Sequence, residues 1–287
     1  APSGPEIVIA FTSSLNGNIV GCDCKGHPRS GLAKSAVLLR EIKRNGGILV
    51  DCGDLLPPEK DELLTDALFA SYKDINYDFI AIGDQEFGGG LSEFARILSM
   101  KLPLASANMQ VVYNGSQLSP GPGFRVFTRS GIKIGIGAVI DPSVFTLYPK
   151  DIKEAVRISD PREAAASMME SMTADSCQVK ILVFHGPLDA AEAVVRAVPG
   201  FNAVIVGHEQ RLIEERKGRT LILSPGEEGN RVGLLRVSVP AGGAAETSVS
   251  FTLFSYETDP DDPEVKRLAD DYMVKLRALI QAAPAGK

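Results

Sequence analysis

Residues 48–54 read Ile-Leu-Val-Asp-Cys-Gly-Asp, a short apolar run that ends in an acidic turn. Three further apolar runs end in the same way, at Gly83-Asp84-Gln85-Glu86, His185-Gly186 and Gly207-His208-Glu209-Gln210. Carboxylate and imidazole groups delivered from several strand ends are how an α/β protein assembles a metal site. The first hypothesis is therefore metal-dependent hydrolysis.

The first third of the chain alternates strand and helix patterns. Residues 6–12 form a nearly continuous apolar run, which is typical of a buried strand. Further strands are predicted to end at residues 51 and 82, followed by a short strand over 104–107, and helices are predicted over 32–42, 61–75 and 91–100. This alternation predicts a largely parallel sheet that is covered by helices.

Strands are more closely spaced in the second half of the chain. A hairpin is predicted over 124–129 and 132–140, helices over 161–172 and 188–198, and late strands over 221–224, 233–239 and 247–255. Two sheets, the second more antiparallel, fit this pattern better than one doubly wound sheet. The polar segment 114–123 is predicted to be a loop.

The Asp- and Pro-rich segment 259–263 interrupts the chain near its end. Apolar residues from Val265 to Ile280 then recur at helical spacing, which predicts an amphipathic terminal helix. We therefore predict one domain over 1–258 and a terminal helical segment over 259–287.

Composition excludes two classes of protein. The 287 residues carry a net charge of −6, and no basic block is present that could neutralise nucleic-acid phosphates. No apolar run approaches the roughly 20 residues that a membrane-spanning helix requires. We expect no nucleic-acid partner and no membrane span.

The cysteines and the first residues of the chain bear on the prediction of its cellular compartment. The chain begins at Ala1 without an initiator Met, as after removal of an export leader or in a trimmed sequence. Cys22, Cys24 and Cys52 precede residue 60. Three readings are open: a disulfide from Cys22 or Cys24 to Cys52, plain packing of the thiols, or a Cys-x-Cys-x-x-His loop that offers soft metal ligands together with His27. Export is the favoured compartment.

Taken in order, the motifs resemble those of the calcineurin-like metallophosphoesterases, in the 5′-nucleotidase (UDP-sugar hydrolase) branch. Residues 12–17 stand where that family has Thr-Asn-Asp-x-His-Gly, and residues 51–54 match its Gly-Asp motif. The other three segments match Gly-Asn-His-Glu, His-Gly and Gly-His-x-His, so the resemblance covers nearly the whole chain. The stretch from Cys22 to Lys34 is similar to a bacterial exported subgroup, which implies the periplasm or the cell surface.

The resemblance implies a four-layer α/β/β/α metallophosphoesterase sandwich. It also implies two metal ions about 3.5–4 Å apart, which share a carboxylate and hold a phosphate for attack by hydroxide. At one metal, the family's Asp, His and last His are replaced here by Ser14, Asn16 and Gln210, which are poor ligands by comparison. The second metal position is therefore degenerate.

The other metal position is complete. The family ligands fall on Asp54, Asp84, His185 and His208, all of which can bind a metal. Because the losses fall on one metal and spare the other, we predict a site for one divalent ion. Zinc, manganese, iron and magnesium are not distinguished.

The family's catalytic His is Gln85 in this chain, and an amide cannot transfer a proton near neutral pH. Two functions follow as hypotheses. The first is a one-metal hydrolase in which Gln85 and Asn16 position a small phosphorylated or anionic substrate. The second is a catalytically silent relative that binds a ligand or a partner protein. Because the family's nucleoside-recognising second domain would follow residue 287, nucleotide hydrolysis is expected to be less favoured.

Overall fold

The computed structural model describes residues 6–23, 29–240 and 242–282. The strands are β1 Glu6–Thr12, β2 Ile48–Asp51, β3 Phe79–Ala81, β4 Leu104–Ala105, β5 Met109–Tyr113, β6 Ser116–Leu118, β7 Phe124–Arg129, β8 Ile132–Ile140, β9 Val156–Ile158, β10 Val179–His185, β11 Ala203–Gly207, β12 Leu212–Lys217, β13 Thr220–Pro225, β14 Arg231–Ser238 and β15 Glu246–Leu253. The helices are α1 Gly31–Arg44, α2 Glu62–Ile75, α3 Gly90–Ser99, α4 Lys150–Ala155, α5 Pro161–Ala174, α6 Leu188–Ala197 and α7 Pro263–Ala282. Short 3-10 turns cover Gln85–Phe87 and Pro142–Phe145.

Two six-stranded sheets form the centre of the protein. The first has the order β15-β14-β1-β2-β3-β4 and the second has the order β12-β13-β11-β10-β8-β7. Neighbours are parallel from β1 to β4 in the first sheet and from β13 to β8 in the second, and the remaining pairs are antiparallel. The expectation that the second sheet is more antiparallel is wrong, because antiparallel strands border the parallel core of both sheets.

The two sheets pack face to face. Side chains such as Phe11 and Val50 of the first sheet share one apolar core with Ile136 and Val183 of the second. Helices α1, α2, α3 and α7 cover the outer face of the first sheet, and α5 and α6 cover the outer face of the second. Alternating side chains of a strand point to opposite faces, so each sheet buries both of its faces. The predicted four-layer α/β/β/α sandwich is confirmed.

A third sheet has the order β6-β5-β9, and its strand β6 lies where the sequence predicted a loop over 114–123. Asn114 and Gly115 form the turn between β5 and β6, and both have positive φ, as a tight hairpin turn requires. Strand β6 is polar and largely exposed, so it pairs through its backbone without a buried face. Alternation of apolar residues therefore gave no signal for β6, whereas the pair Asn114-Gly115 was a signal for a hairpin turn.

The terminal helix α7 packs against α1 and α2 through its first half. Val265 and Ala269 are fully buried, and the hydroxyl of Tyr272 donates to Asp61 at 2.8 Å. The second half exposes Val274 and Leu279. The domain boundary at residue 258 stays a prediction. None of the described helices has the length and apolar character needed to cross a bilayer.

Candidate metal centre

Four ionisable side chains meet where strands of both central sheets end. Asp54 follows β2 and Asp84 follows β3 in the first sheet, whereas His185 ends β10 and His208 follows β11 in the second. One ligand atom from each residue lies within 4.8 Å of all the others. Side chains from distant parts of the sequence are thus assembled at one edge of the sandwich.

The imidazoles face the carboxylates directly. His185 Nε2 lies 3.1 Å from Asp84 Oδ1 and 3.3 Å from Asp54 Oδ1. His208 Nδ1 lies 3.1 Å from Asp84 Oδ1 and 3.6 Å from Asp54 Oδ2. The side chain of His185 is fully buried, whereas that of His208 is 39% exposed. The cluster is therefore closed at His185 and open to solvent at His208.

Glycines in the motifs let the loops of the two sheets approach each other. A Cβ atom on Gly83 would lie 2.4 Å from Asp54 Oδ1 and 2.6 Å from His185 Cε1. A Cβ atom on Gly207 would lie 2.2 Å from the carbonyl oxygen of Cys52. Carbon atoms cannot approach that closely, so the ring of His185 fits between these loops only because both positions lack a side chain.

Two of the four residues adopt a backbone conformation that L-residues rarely occupy. The φ angles of Asp54 and His208 are +58° and +70°. Such left-handed residues cost free energy, on the order of 1–3 kcal/mol each, and are concentrated at functional sites. In the turns after β2 and β11, a strained backbone conformation is therefore retained at the two residues whose side chains enter the cluster.

Charges within the cluster determine its protonation. Burial raises the pKa of the Asp54 carboxyl, but the charge of His185 and hydrogen bonds from both histidines outweigh burial and lower that pKa. Burial lowers the pKa of His185, but Asp54 and Asp84 raise it well above its usual value. Hydrogen bonds to the same carboxylates raise the pKa of His208 to about 9. Without a metal, these shifts favour the ionised form of both carboxyl groups and the protonated form of both imidazoles.

The donor set fits a divalent metal ion. Two carboxylates and two imidazoles are ligands that suit zinc, manganese or iron, and neutral imidazoles with one divalent ion would leave the same net charge as two imidazolium ions. The Nδ1 of His185 donates to the Cys52 carbonyl at 2.8 Å, which leaves Nε2 directed at both aspartates. Asp54, Asp84, His185 and His208 would hold the ion.

Glu86 supports the loops around the cluster. Its fully buried carboxylate accepts hydrogen bonds from the backbone N–H of Gly83 at 2.7 Å and of Leu55 at 2.8 Å. Burial and the nearby charge of Asp54 raise the pKa of Glu86 to about 7. Glu86 thus ties the turn after β2 to the turn after β3.

The three residues of the degenerate position occupy different environments. Ser14 is buried, and its hydroxyl lies 3.1 Å from that of Ser13. Asn16 accepts a hydrogen bond from Gln85 Nε2 at 3.1 Å, and its own Nδ2 donates to Glu227 Oε2 at 3.5 Å. Gln210 is exposed. The structure therefore brings Asn16 and Gln85 together as an amide pair.

Sequence reasoning missed two side chains near the site. The hydroxyl of Tyr148 donates to Asp84, to the carbonyl oxygen at 2.7 Å and to Oδ2 at 3.1 Å. Glu227 lies in a glycine-rich loop that predicted only a turn, yet it reaches Asn16 across 211 positions. The pair of glutamates in that loop was a signal for Glu227, whereas no motif marked Tyr148.

The structure contradicts one of the hypotheses for the early cysteines, the disulfide to Cys52. Cys52 is a buried free thiol, so the expected disulfide from Cys22 or Cys24 to Cys52 is wrong. Strand β2 ends immediately before Cys52, and the residue lies in the core between the two sheets. Cys22 is disulfide-bonded, and a disulfide sulfur lacks the thiolate that a soft metal ligand requires. Cys24 and His27 lie outside the described residues.

Comparison with solved structures identifies the architecture. The 5′-nucleotidase precursor of Thermus thermophilus superposes with a TM-score of 0.83 and 19% identity over 96% of this chain and 60% of its own. The calcineurin-like phosphoesterase YfkN of Bacillus subtilis gives a TM-score of 0.78 and 18% identity over 97% of this chain and 99% of the solved one. The chain has the calcineurin-like phosphoesterase fold.

Other comparisons set the limits of this likeness. The sulfate thiohydrolase SoxB of Thermus thermophilus has the same calcineurin-like fold, with a TM-score of 0.80 and 16% identity over 97% of this chain and 62% of its own. The trifunctional nucleotide phosphoesterase protein YfkN of Bacillus subtilis is 22% identical in an alignment of 243 positions, and the alignment covers 72% of this chain and 17% of that protein. No protein-family model matches the sequence. Since one fold carries several described activities, the substrate must be inferred from the site.

Proposed function

We propose that this chain hydrolyses a phosphoester with one divalent ion held by Asp54, Asp84, His185 and His208. The observation that carries the proposal is the convergence of two carboxylates and two imidazoles within 4.8 Å at the ends of four strands. The fold supports it, because similar structures are described as nucleotidases and phosphoesterases.

A divalent ion supplies Lewis acidity, which withdraws charge from an ester oxygen and makes water a stronger acid. The protein's own part is to fix the ligands before substrate arrives. The backbone N–H of Gln85 donates to Asp54 Oδ1 at 3.1 Å, and Tyr148 holds Asp84. Ligands that are held by further hydrogen bonds keep their orientation when the ion is absent.

Gln85 and Asn16 are proposed to position the substrate. Gln85 Nε2 donates to Asn16, whereas Gln85 Oε1 is a buried acceptor without a hydrogen-bond partner. A buried acceptor that lacks a partner costs about 1–3 kcal/mol. A hydrogen bond from attacking water or from a substrate hydroxyl would remove that cost.

One ion, rather than two, is proposed for this centre. The degenerate second position is formed by three poor ligands. Ser14 offers a neutral hydroxyl, Asn16 accepts a hydrogen bond from Gln85, and Gln210 is exposed. The donor set does not select among zinc, manganese, iron and magnesium. Elemental analysis of protein purified without added metal is expected to give close to one equivalent.

Hydrolysis of an aryl phosphate with added Mn²⁺ or Zn²⁺ tests the proposal. Asp54→Asn is expected to lower kcat/KM more than about 100-fold. Replacing a residue that only hydrogen-bonds to a metal ligand already lowers metal affinity or activity about 10–100-fold. Asp175→Asn, at an exposed helix end, is the matched control and should leave kcat/KM unchanged. Activity that is unaffected by Asp54→Asn would refute the catalytic assignment. Metal binding without turnover would instead identify a catalytically silent relative.

Export to a bacterial periplasm or cell surface is also proposed. It is supported by the disulfide-bonded state of Cys22, since disulfides persist in oxidising compartments. In protein isolated from its native compartment, Cys22 should not react with an alkylating reagent until a reductant is added. Labelling of Cys22 without reductant would contradict export.

A further inference from the structure

A cavity of about 640 Å³ opens beside the candidate metal centre. Asp84 and His208 form part of its wall, so the cavity continues directly from the cluster. Its volume falls within the roughly 300–1,000 Å³ that is typical of small-molecule sites. A substrate whose phosphoryl group reached the metal would extend its remaining atoms into this space.

The outer wall of the cavity comes from one short segment of the chain. Val144, Leu147 and Tyr148 lie in or just after the 3-10 turn Pro142–Phe145, and Ile152 lies in α4. Leu147 is 96% exposed, although Leu is an apolar residue. It stands at the rim of a mainly apolar surface, where a bound ring would cover it.

Aromatic packing fixes the position of this wall. The rings of Tyr148 and Phe145 lie 5.1 Å apart, and Phe145 meets Phe87 edge to face at 5.3 Å. Phe87 in turn stacks on Phe94 at 4.0 Å. The chain of rings anchors Tyr148 to the core, so the wall is formed before a ligand binds and little ordering cost remains.

The charges of the lining select against further anionic groups. Its acidic members are Asp84 and Asp151, and none of its lining residues is Lys or Arg. Away from His208, which is assigned to the metal, a second phosphate in the cavity would face Asp151 with no Lys or Arg in the lining to balance its charge. The carboxylates disfavour an anionic group, and the mainly apolar wall favours an uncharged group over a charged one.

We propose that the cavity is the leaving-group subsite and takes an uncharged, planar ring system attached to a single phosphate, with Leu147 as a specificity-determining residue. This inference rests on the proposed phosphoesterase function. Diphosphates and triphosphates are rejected because their additional charges would enter the acidic cavity.

Hydrolysis of two substrates measures the preference. 2-Naphthyl phosphate, with its planar rings, is compared with ethyl phosphate, and the kcat/KM ratio of the two is determined for the wild type and for Leu147→Asp. Dividing the kcat/KM ratio of Leu147→Asp by that of the wild type cancels the intrinsic reactivity of each ester. The ratio is expected to fall about tenfold in Leu147→Asp, because a charge replaces apolar contact area. Leu279→Asp, on the exposed half of α7, is the matched control and should keep the wild-type ratio.

Binding of 2-naphthol to metal-free protein provides a readout that is independent of turnover. Its fluorescence is expected to report saturable binding that weakens about tenfold in Leu147→Asp but not in Leu279→Asp. Thermal unfolding confirms that both variants fold, and the high exposure of both residues makes folding compatible with the change.

The two measurements separate the hypotheses. If 2-naphthol binds through Leu147 but no phosphoester is hydrolysed, the phosphoesterase function fails and the ring subsite survives. If phosphoesters are hydrolysed with an unchanged ratio in Leu147→Asp, or if 2-naphthol does not bind, the subsite is wrong. Efficient hydrolysis of a nucleoside triphosphate would also overturn it.

Discussion

The Nδ1 atom of His185 lies 2.8 Å from the backbone carbonyl oxygen of Cys52. A carbonyl oxygen only accepts hydrogen bonds, so Nδ1 carries the proton and Nε2 faces the two aspartates. The sheet that carries β10 and the loop after β2 in the other sheet thereby determine together which imidazole nitrogen is offered to a metal. This contact makes the geometry of the candidate metal centre depend on how the two sheets pack.

Replacing His185 is expected to abolish metal-dependent stabilisation. At an ion concentration 100-fold above Kd, the wild type should gain about 2.7 kcal/mol in the free energy of unfolding. His185→Gln should gain almost none, because it lacks the imidazole ligand. Cys52→Ala is the control: it retains the carbonyl group that orients His185 and should still respond to Zn²⁺ or Mn²⁺ in thermal unfolding. An equal response in His185→Gln would disprove its role as a ligand.

Gly83→Ala is expected to disrupt the metal centre without a charge change. The added methyl group would meet Asp54 Oδ1 and the ring of His185 at less than 3 Å, so the loops must separate. We expect destabilisation of about 1–3 kcal/mol and at least tenfold weaker metal binding, measured by denaturant unfolding and by calorimetry. In Gly243→Ala the nearest atom, Cβ of Pro240, is 3.3 Å away, and both quantities should stay close to those of the wild type.

Asp51 is expected to impose a pH dependence on stability. Its fully buried carboxylate accepts hydrogen bonds from Thr12, Tyr72 and Gly53, but burial dominates and raises its pKa from 3.8 to about 6. The folded protein therefore holds this proton more tightly than the unfolded chain does. The resulting stabilisation is complete below pH 3.8 and is lost as the pH rises through about 6.

Asp51→Asn isolates this contribution, because the amide cannot ionise. The free energy of unfolding of the variant, relative to the wild type, should rise by up to about 3 kcal/mol between pH 4 and pH 8. Denaturant unfolding at several pH values measures it, with Asp175→Asn as the control for an exposed aspartate. A difference between Asp51→Asn and the wild type that does not change with pH would show that Asp51 is not responsible.

Gln85→His is expected to raise phosphoester hydrolysis. The Gln85 side chain reaches Asn16 beside the cluster, and an imidazole there could donate both a hydrogen bond and a proton to the leaving group. Such a general acid contributes about 100-fold or more in favourable cases, so we expect at least a tenfold increase in kcat. The rate of the variant should fall above roughly pH 7 as the imidazole loses its proton. Gln85→Asn, which keeps an amide, should show neither effect.

Much of the fold was predictable because its elements carry local signals. The strands that end before Cys52 and Gly186 are continuous apolar runs, and the helices α2 and α5 begin after Asp61 and Asp160, whose side chains cap them. Those signals depend only on residues that are close in the sequence, so they can be recognised without the tertiary structure. The polar strand β6 and the pairing of the outer strands carry weaker signals, and there the predictions failed.

By itself, the sequence determined which ionisable groups stand at strand ends, that their strands are buried, and that the strands before Asp54 and Asp84 belong to a largely parallel sheet. It could not determine which distant loops touch. Tyr148 contacts Asp84 across 64 positions and Glu227 contacts Asn16 across 211, while Cys52 remains a free thiol. Local periodicity fixes how each segment folds, but contacts between loops depend on how two whole sheets pack, and only the tertiary structure decided them.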